Sequence, residues 1–255
     1  MDFIISANTD IGIARRTNQD SLANLIVDTS QGRMVFAVLC DGMGGLAEGE
    51  VASASVTNAF RYWAINILPK LCETPLEDST IRSQWEKIVA LQNQEIKEYG
   101  ARRGIALGTT AVVMLLSQTR YFILNVGDSR AYEITSDVRQ ITADQTFVAR
   151  EIAMGHMTEA QATTDPRRNM LLQCIGASKE VYPDMFFGDV CKDAVYMLCS
   201  DGFRHEITEA EIYEKLRPDA LMDDLSMQRN TVSLIELNKQ RMERDNISVA
   251  LVRTF

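Results

Sequence analysis

The sequence predicts an α+β fold in which antiparallel sheets pack together and are covered by helices. Apolar runs of strand length occur in adjacent groups, as at Met34–Cys40 and Tyr121–Val126. Two longer segments carry apolar residues at helical spacing instead. Because helices stand before, between and after groups of strands, and do not alternate with single strands, the order argues against a doubly wound parallel sheet.

The first half of the chain contains the clearest strand and helix signals. Met34–Cys40 is apolar on both faces, which is typical of a central strand buried on both sides. Glu48–Leu68 has small and apolar residues at helical spacing and is expected to end at Pro69. A second long helix is expected at Ser79–Arg102. Further strands are predicted at Phe3–Ile5, Ser21–Val27, Thr110–Leu116, Arg120–Val126 and Ala131–Thr135.

The second half of the chain is marked by helix starts. Thr142 and Thr158 each open a Thr-x-x-Gln pattern, which is a capping box, and Thr208 opens a similar box with Glu211. The expected helices are 142–154, 158–163, one from 208 and a long one near 221–242. The expected strands are Phe186–Val190, Ala194–Cys199 and Ile247–Val252.

Composition limits the kinds of site that the chain can build. The net charge is −9 and no cluster of Lys and Arg runs against it, so nucleic-acid binding is disfavoured. Five cysteines form no CxxC pair, which predicts reduced thiols and neither a disulfide framework nor a zinc site. With only two histidines, His156 and His205, any metal is expected to be a hard cation held by oxygen.

No repeat, low-complexity tract or linker divides the 255 residues, which predicts a single domain over residues 1–255. The apolar runs are too short to span a membrane, and the first residues show no signal-peptide pattern. The expected location is therefore the cytoplasm, and the default oligomeric state is a monomer.

Five aspartates stand where predicted strands begin or end. Asp41, Asp128 and Asp201 each follow an apolar run, Asp245 begins the last strand, and Asp20 precedes the second. Ionised carboxylates at the margins of buried strands are unfavourable unless positive charge gathers them, as divalent cations would do. For any single Asp, a turn is the simpler explanation. Five such positions in one chain favour a metal site.

Six short motifs follow one another along the chain. They are Arg15-Arg-Thr-Asn-Gln-Asp20, Asp41-Gly-Met-Gly-Gly45, Gly108-Thr-Thr110, Gly127-Asp-Ser-Arg130, Ser200-Asp-Gly202 and Asp245-Asn246. Each motif alone is unspecific. Together, in this order and rough spacing from about Asn8 to Val252, they resemble the PPM/PP2C family of metal-dependent protein serine/threonine phosphatases, in its bacterial form. The resemblance implies a four-layer α-β-β-α sandwich of two antiparallel sheets flanked by helices.

The resemblance also implies a centre of two Mn²⁺ or Mg²⁺ ions, with a third, weaker ion in many bacterial members. Asp41 would bridge the first two ions. The other ligands would be Asp201 and Asp245 at one ion, Asp20 and the carbonyl of Gly42 at the other, largely through waters, and Asp128 at the third. Two such cations lower the pKa of a bridging water and supply hydroxide for in-line attack on phosphorus.

The resemblance further implies that Arg15, chosen by its spacing to Asp20, binds the substrate phosphate, and a guanidinium offers a planar fork suited to two phosphate oxygens. Its neighbour Arg16 is the rival for this role. Cysteine-based phosphatase chemistry needs Cys-x5-Arg, and the spacing from Cys199 to Arg204 is one residue too short. Metallophosphoesterases rich in histidine need more than the two histidines that the chain has.

Three positions depart from patterns common in the family. Met43 stands where eukaryotic relatives carry a histidine proposed as general acid, so the proton donor stays open. Leu46 and Gln145 stand where bacterial relatives often have histidine, and Gln145 belongs to an expected mobile flap at about 142–174. These changes leave the predicted metal ligands intact and put substrate preference and pH profile in question.

Residues beside the motifs are expected to have structural roles. Arg130 could contact phosphate, but an ion pair with a neighbouring carboxylate is the favoured role. His205 could approach the site, but a satisfied histidine on the surface or at a helix entry is favoured. Asn18 and Asn246 should orient the aspartates next to them.

The sequence thus predicts a phosphatase that hydrolyses phosphoserine and phosphothreonine in phosphoproteins and opposes a bacterial Ser/Thr kinase. The alternative is a catalytically weak or inactive pseudophosphatase that serves as a binding or regulatory module, which the full set of aspartates disfavours. A third possibility is a relative that acts on a small-molecule phosphate. The physiological substrate and the metal used in vivo stay open.

Overall fold

The computed structural model describes residues 1–43 and 48–255 of the chain, so that Gly44, Gly45 and Leu46, singled out in the sequence, lie outside the described residues. The strands are β1 (Phe3–Asp10), β2 (Asp20–Thr29), β3 (Gly32–Asp41), β4 (Ala111–Leu116), β5 (Arg120–Val126), β6 (Arg130–Ile134), β7 (Val138–Gln140), β8 (Asp184–Asp189), β9 (Val195–Cys199) and β10 (Ile247–Thr254). The helices are α1 (Gly49–Asn66), α2 (Leu68–Leu71), α3 (Asp78–Arg103), α4 (Phe147–Ala153), α5 (Glu159–Thr164), α6 (Asp201–Arg204), α7 (Glu209–Leu216) and α8 (Asp224–Gln240).

These strands form two five-stranded sheets. The first has the order β2-β3-β4-β5-β8, and the second has the order β1-β10-β9-β6-β7. The pairings between these strands run antiparallel. The predicted α+β class is therefore confirmed, and so is the prediction that the sheet is not doubly wound and parallel.

Alternation along β3 shows how the layers stack. Phe36 and Val38 join the core between the first sheet and helices α1 and α3. Val35 and Ala37 point the other way and join the core between the two sheets. A third core lies between the second sheet and helices α7 and α8. Three cores separate four layers, which is the α-β-β-α sandwich that the resemblance implied.

One helix end was predicted closely and one helix start was wrong. α1 ends at Asn66, shortly before the predicted stop at Pro69, and Pro69 itself lies in the first turn of the short helix α2, where a missing N–H is tolerated. Thr142 is not a helix cap: its hydroxyl accepts a backbone N–H of β6, and α4 begins after Thr146 instead. The capping boxes at Thr158 and Thr208 are present as predicted.

Two short elements, β7 and α6, were not predicted. Each is too short to show a hydrophobic period in the sequence. Of these, α6 bears on function because it begins with Asp201.

The two ends of the chain meet in the second sheet. β1 pairs with β10 along its whole length, from Phe3 opposite Thr254 to Asp10 opposite Ile247. This pairing supports the prediction of a single domain, which stays a prediction. Among the described residues, no helix combines the length and apolarity needed to cross a membrane.

Candidate active site

The five candidate aspartates lie where strands of both sheets begin or end. Asp20 opens β2 and stands directly opposite Asp41, the last residue of β3. Asp201 is the first residue of α6, just after β9, and Asp245 stands just ahead of β10. Asp128 lies in the turn that leads from β5 in the first sheet to β6 in the second. Each sheet therefore supplies carboxylates to the same region.

The carboxylates are close enough to raise one another's pKa. Burial is the main reason that the pKa of Asp41 lies well above its usual value, and the charges of Asp20 and Asp201 raise it further. Burial also raises the pKa of Asp20 to about 7; the nearby hydroxyls of Ser248 and Ser200 oppose this rise, and repulsion from Asp201 and Asp245 adds to it. The pKa of Asp128 rises to about 7, again mainly through burial and then through Asp201. The structure thus brings the five predicted aspartates into mutual electrostatic contact.

Three carboxylate oxygens lack the hydrogen bonds that buried anions need. Both oxygens of Asp20, and Oδ1 of Asp201, are shielded from solvent and have no hydrogen-bond partner. A hard divalent cation takes such oxygens as ligands. Within residues 1–43 and 48–255, no three Asp, Glu, His or Cys side chains are grouped closely enough to hold an ion by themselves. An ion at this place would need further ligands, such as water or backbone carbonyl oxygens.

Asp41 is held in place by threonine hydroxyls. Its N–H donates to Oγ1 of Thr110 at 3.0 Å, and its carbonyl accepts from the Thr109 hydroxyl at 2.8 Å. The Thr110 hydroxyl also shares a hydrogen bond of 2.8 Å with the Ser129 hydroxyl. One buried side chain therefore links the end of β3 to the turn that carries Asp128. This gives the Gly-Thr-Thr motif of the sequence a structural role.

Gly42 lies in a gap that admits no side chain. Its N–H donates to the carbonyl of Gln19 at 3.0 Å. A Cβ atom at this position would stand 2.4 Å from the Gly49 carbonyl oxygen and 2.6 Å from that of Gln19. Only glycine lets these backbone segments approach so closely beside Asp41.

Two asparagines orient the aspartates next to them, as expected. Oδ1 of Asn18 accepts the N–H of Asp20 at 3.1 Å. Oδ1 of Asn246 accepts the N–H of Gln19 at 2.9 Å, and its own N–H donates to Oδ1 of Asp245 at 2.8 Å. These bonds fix the backbone on both sides of the carboxylate group.

Arg15 reaches into the same region and pairs with Asp245. Its Nε donates to Oδ1 at 2.9 Å and its Nη2 donates to Oδ2 at 2.7 Å. The hydrogen bond to Asp245, followed by the charges of Asp41 and Asp201, raises the pKa of Arg15. Its rival Arg16 is exposed on the surface. Of the two arginines, the structure places Arg15 beside the aspartates.

A second charged network supports the turn at Asp128. Arg130 forms the expected ion pair, since its Nε and Nη2 donate to the two oxygens of Asp144 at 2.7 and 2.8 Å. Arg204 lies 3.6 Å from the same carboxylate and donates to the backbone carbonyl of Asp128 at 3.1 Å. Arg204 thus ties α6 to the turn that carries Asp128.

His205 lies close to the candidate site, which was the less favoured of the alternatives predicted for it. It directly follows α6, with Nε2 3.6 Å from Oδ2 of Asp201 and Nδ1 3.4 Å from Oε2 of Glu243. Burial alone would lower the pKa of His205, but Glu243 and Asp201 outweigh it and raise the pKa above its usual value. Glu243 is the member of this group that was not predicted from the sequence.

Gln145 lies in the segment predicted as a flap, at about 142–174, and forms hydrogen bonds with the turn before Asp128. Its side-chain Oε1 accepts the N–H of Gly127 at 2.9 Å, and its own N–H donates to the Gly127 carbonyl at 2.9 Å. Its Nε2 donates to Asp184 at 2.7 Å, while Gln173 donates to its Oε1 at 2.9 Å. An amide can both donate and accept, so glutamine serves all these partners at once.

A cavity of about 1250 Å³ has two of the five aspartates, Asp128 and Asp245, in its wall. The wall also includes Arg15, Arg204 and His205, together with residues between 144 and 169 from the segment predicted as a flap. The cavity is large enough to admit a peptide side chain as well as a phosphate group.

Two buried cysteines near the carboxylates carry thiols that resist ionisation. Burial raises the pKa of Cys40 and of Cys199 to about 12. A thiolate is the nucleophilic form of cysteine, so neither side chain is suited to attack phosphorus at neutral pH.

The sequence model of the protein phosphatase 2C family matches residues 14–232. This chain belongs to the protein phosphatase 2C family. The match includes Arg15, Asp20, Asp41, Asp128 and Asp201, and Asp245 lies beyond its end. The fold and the order of the motifs agree with the match.

Named relatives within the family are serine/threonine phosphatases. The chain is 31% identical to the serine/threonine phosphatase stp of Listeria innocua over 249 residues, covering 96% of this chain and 93% of the relative. It is 30% identical to the protein phosphatase PhpP of Streptococcus pneumoniae over 255 residues, covering 97% and 96%. The chain is therefore a protein-serine/threonine phosphatase of bacterial type, as predicted.

Solved structures of the family share the fold. The S. agalactiae serine/threonine phosphatase superimposes with a TM-score of 0.83 at 29% identity, covering 100% of both chains. The catalytic domain of the phosphatase PstP, solved in complex with two manganese ions, gives a TM-score of 0.76 at 26% identity, covering 98% of this chain and 97% of that one.

Proposed function

We propose that this protein phosphatase 2C enzyme depends on divalent cations gathered by Asp41, Asp20, Asp201 and Asp245, with Asp128 at a weaker, third position. The observation that carries the proposal is the state of Asp20, whose two buried oxygens have no hydrogen-bond partner. A carboxylate placed in this way is unfavourable without a cation. The two manganese ions in the PstP structure support the same conclusion.

The aspartates and Gly42 would hold two Mn²⁺ or Mg²⁺ ions. When bound, such cations supply a nucleophile from water near neutral pH and stabilise charge on the phosphoryl oxygens. The protein would hold the carboxylates at fixed separations through hydrogen bonds of Thr110, Asn18 and Asn246. The cavity wall positions the substrate against them.

Arg15 would bind the phosphate of the substrate. Its guanidinium forms two parallel hydrogen bonds with a carboxylate in the structure, and phosphate offers the same pair of acceptor oxygens. Binding a phosphate requires Arg15 to exchange Asp245 for the substrate. The half-exposed side chain lines the cavity and has room to do so.

The physiological substrate would be a phosphoprotein and the opposing enzyme a bacterial Ser/Thr kinase. The named relatives support phosphoprotein substrates. The kinase, the cytoplasmic location and the monomeric state stay predictions of the sequence. The pseudophosphatase alternative is disfavoured because each of the five aspartates is present and lies in the same region.

Metal-dependent turnover of phosphopeptides tests the proposal. Hydrolysis of a phosphothreonine peptide would be measured with Mn²⁺, with Mg²⁺ and with EDTA, and compared with nucleotides and phosphosugars. We expect turnover of the peptide that EDTA abolishes and that Mn²⁺ restores. Turnover that survives EDTA would overturn the metal assignment, and absence of turnover with either ion would support the pseudophosphatase.

A further inference from the structure

The end of α8 carries a methionine in a backbone conformation that favours glycine. The N–H of Met242 donates to the carbonyl of Lys239 at 3.1 Å, and the N–H of Glu243 donates to that of Asn238 at 3.0 Å. This pair of bonds is a Schellman motif, in which the residue after the helix adopts the left-handed conformation. Met242 does so, with φ at 71°.

Another helix of the chain closes in the usual way. α3 ends at Gly104, whose φ is 67°. Glycine has no Cβ and adopts this conformation without strain, whereas a side chain is crowded by the adjacent carbonyl. Met242 therefore keeps a local strain that a glycine would remove.

Packing does not compensate for this strain. The side chain of Met242 is among the exposed large hydrophobic residues, with 68% of its surface accessible. A side chain so exposed gains little from burial in the folded protein. Among the described residues, the contacts of Met242 therefore offer no stabilisation that would explain a methionine at this position.

The position of Met242 gives it a different use. It lines the cavity beside the aspartates, together with Arg15, Arg244 and Asp245. Strained residues that persist in folded proteins are concentrated at ligand-binding and catalytic sites. Methionine is flexible and polarisable, so it adapts to apolar side chains of different shape.

We propose that Met242 is a specificity-determining residue that contacts an apolar side chain next to the phosphorylated residue of a protein substrate. The proposal rests on the proposed function only in taking this cavity as the substrate site. Met242 shares the cavity wall with Arg15, Asp128 and Asp245. With the phosphate at Arg15, a residue beside the phosphorylated one would meet Met242, whereas a substrate without neighbouring side chains would not.

Kinetics with paired substrates test this role. Met242→Gly, Met242→Leu and wild type would be compared on a phosphothreonine peptide with leucine beside the phosphoresidue, the same peptide with serine there, and p-nitrophenyl phosphate. We expect Met242→Gly to raise KM about tenfold for the leucine peptide alone, which is the lower end of what one apolar group contributes in a hydrophobic pocket. Met242→Leu should retain most of the wild-type preference.

Met222 offers a matched control. It is also exposed, at 64%, and precedes the opposite end of the same helix. Met222→Gly should leave the ratio of the two peptide KM values unchanged. Met242→Gly should also raise the melting temperature, because it removes the left-handed strain.

Peptide affinities measured by fluorescence anisotropy give the same comparison without turnover. Loss of hydrolysis in the wild type would count against the proposed function. An unchanged preference between the leucine and serine peptides, in KM and in affinity, would overturn the role of Met242. A fall in melting temperature for Met242→Gly would overturn the argument from strain.

Discussion

Arg15 and Asp245 form a bidentate ion pair, in which Nε and Nη2 of the guanidinium each donate to one carboxylate oxygen. A residue predicted to bind phosphate is thus paired with a residue predicted to bind metal. The pair shows that the guanidinium already has the orientation needed for a two-oxygen acceptor.

Replacement of Arg15 should weaken substrate binding more than turnover. Hydrogen bonds to charged groups contribute about 1.5–3 kcal/mol, so Arg15→Ala should raise KM about 10- to 100-fold with a smaller change in kcat. Arg16→Ala, which changes the exposed neighbour, is the matched control and should behave as wild type. Steady-state kinetics on a phosphopeptide decides between them, and an equal effect of both variants would contradict the assignment.

Asp41 and Asp201 should be indispensable for activity. Asp41→Asn and Asp201→Asn keep the size of the side chain and remove the charge, so kcat should fall by about 1000-fold if bound cations supply several kcal/mol to the reaction. Mn²⁺ binding, followed by calorimetry, should weaken in parallel. Asp137→Asn, at an exposed turn, serves as the control. A normal rate in the Asp201 variant would refute the role given to that residue.

Asp20 should lower the stability of the metal-free protein while serving as a metal ligand. Its buried carboxylate lacks hydrogen bonds and is repelled by Asp201 and Asp245, so Asp20→Asn should stabilise the protein in EDTA. A gain of about 1 kcal/mol corresponds to a rise in melting temperature of about 2–4 °C for a chain of this size. Thermal unfolding with and without Mn²⁺ is the measurement. The variant should also lose part of the stabilisation that Mn²⁺ gives to wild type, and a lower melting temperature in EDTA would contradict the prediction.

Gly202 should not tolerate a side chain. A Cβ there would stand 2.2 Å from the carbonyl oxygen of Asn246 and 3.3 Å from Cβ of Asp245, so Gly202→Ala should displace a predicted metal ligand. We expect a loss of stability of about 1–3 kcal/mol together with a large loss of kcat. Gly104→Ala, which meets no atom within 4 Å but has a positive φ, should lose stability and keep its kinetics. Equal kinetics in the two variants would argue against this role of Gly202.

Glu133 should contribute to acid unfolding. Burial would raise its pKa, but hydrogen bonds from Arg139 and Tyr196 outweigh burial and lower the pKa below its usual value. Because the folded state binds its proton less readily than the unfolded state, the stabilisation is present above the usual pKa of glutamate and is lost as pH falls below it. Between about pH 6 and pH 3, the range in which glutamate titrates, Glu133→Gln should therefore lose less stability than wild type. Urea unfolding followed by circular dichroism measures this difference. An identical pH dependence would exclude Glu133 as a contributor.

The sequence predicted the elements that repeat a pattern over many residues. Met34–Cys40 is apolar on both faces and became the central part of β3, and the capping box at Thr208 became a real helix start. Thr142 has the same local pattern as Thr158, yet its hydroxyl and Gln145 bind the strands around Asp128 instead. Tertiary hydrogen bonds decided between two sites that look alike in sequence.

The assignment of the site residues stays a prediction, supported by the charges of Asp20, Asp128, Asp201 and Asp245, which raise the pKa of Asp41. The neighbours of these carboxylates could not be read from the chain. The aspartates stood out because they interrupt buried strands. Arg204 and Glu243 carried no such signal, since an isolated charged residue is most often a solvated one. Met242 was hidden for another reason, because a left-handed backbone angle leaves no trace in sequence when glycine is absent.

The turn that carries Asp128 passes from one sheet to the other, while Asp20 and Asp41 belong to one sheet and Asp201 and Asp245 adjoin the other. The distances among the carboxylates therefore depend on how one sheet lies upon its neighbour. A substitution that changes the volume of an apolar side chain between the sheets would move one sheet relative to the other. The distances between the aspartates of the two sheets would then change. Catalysis in this enzyme should thus be sensitive to packing far from any charged group.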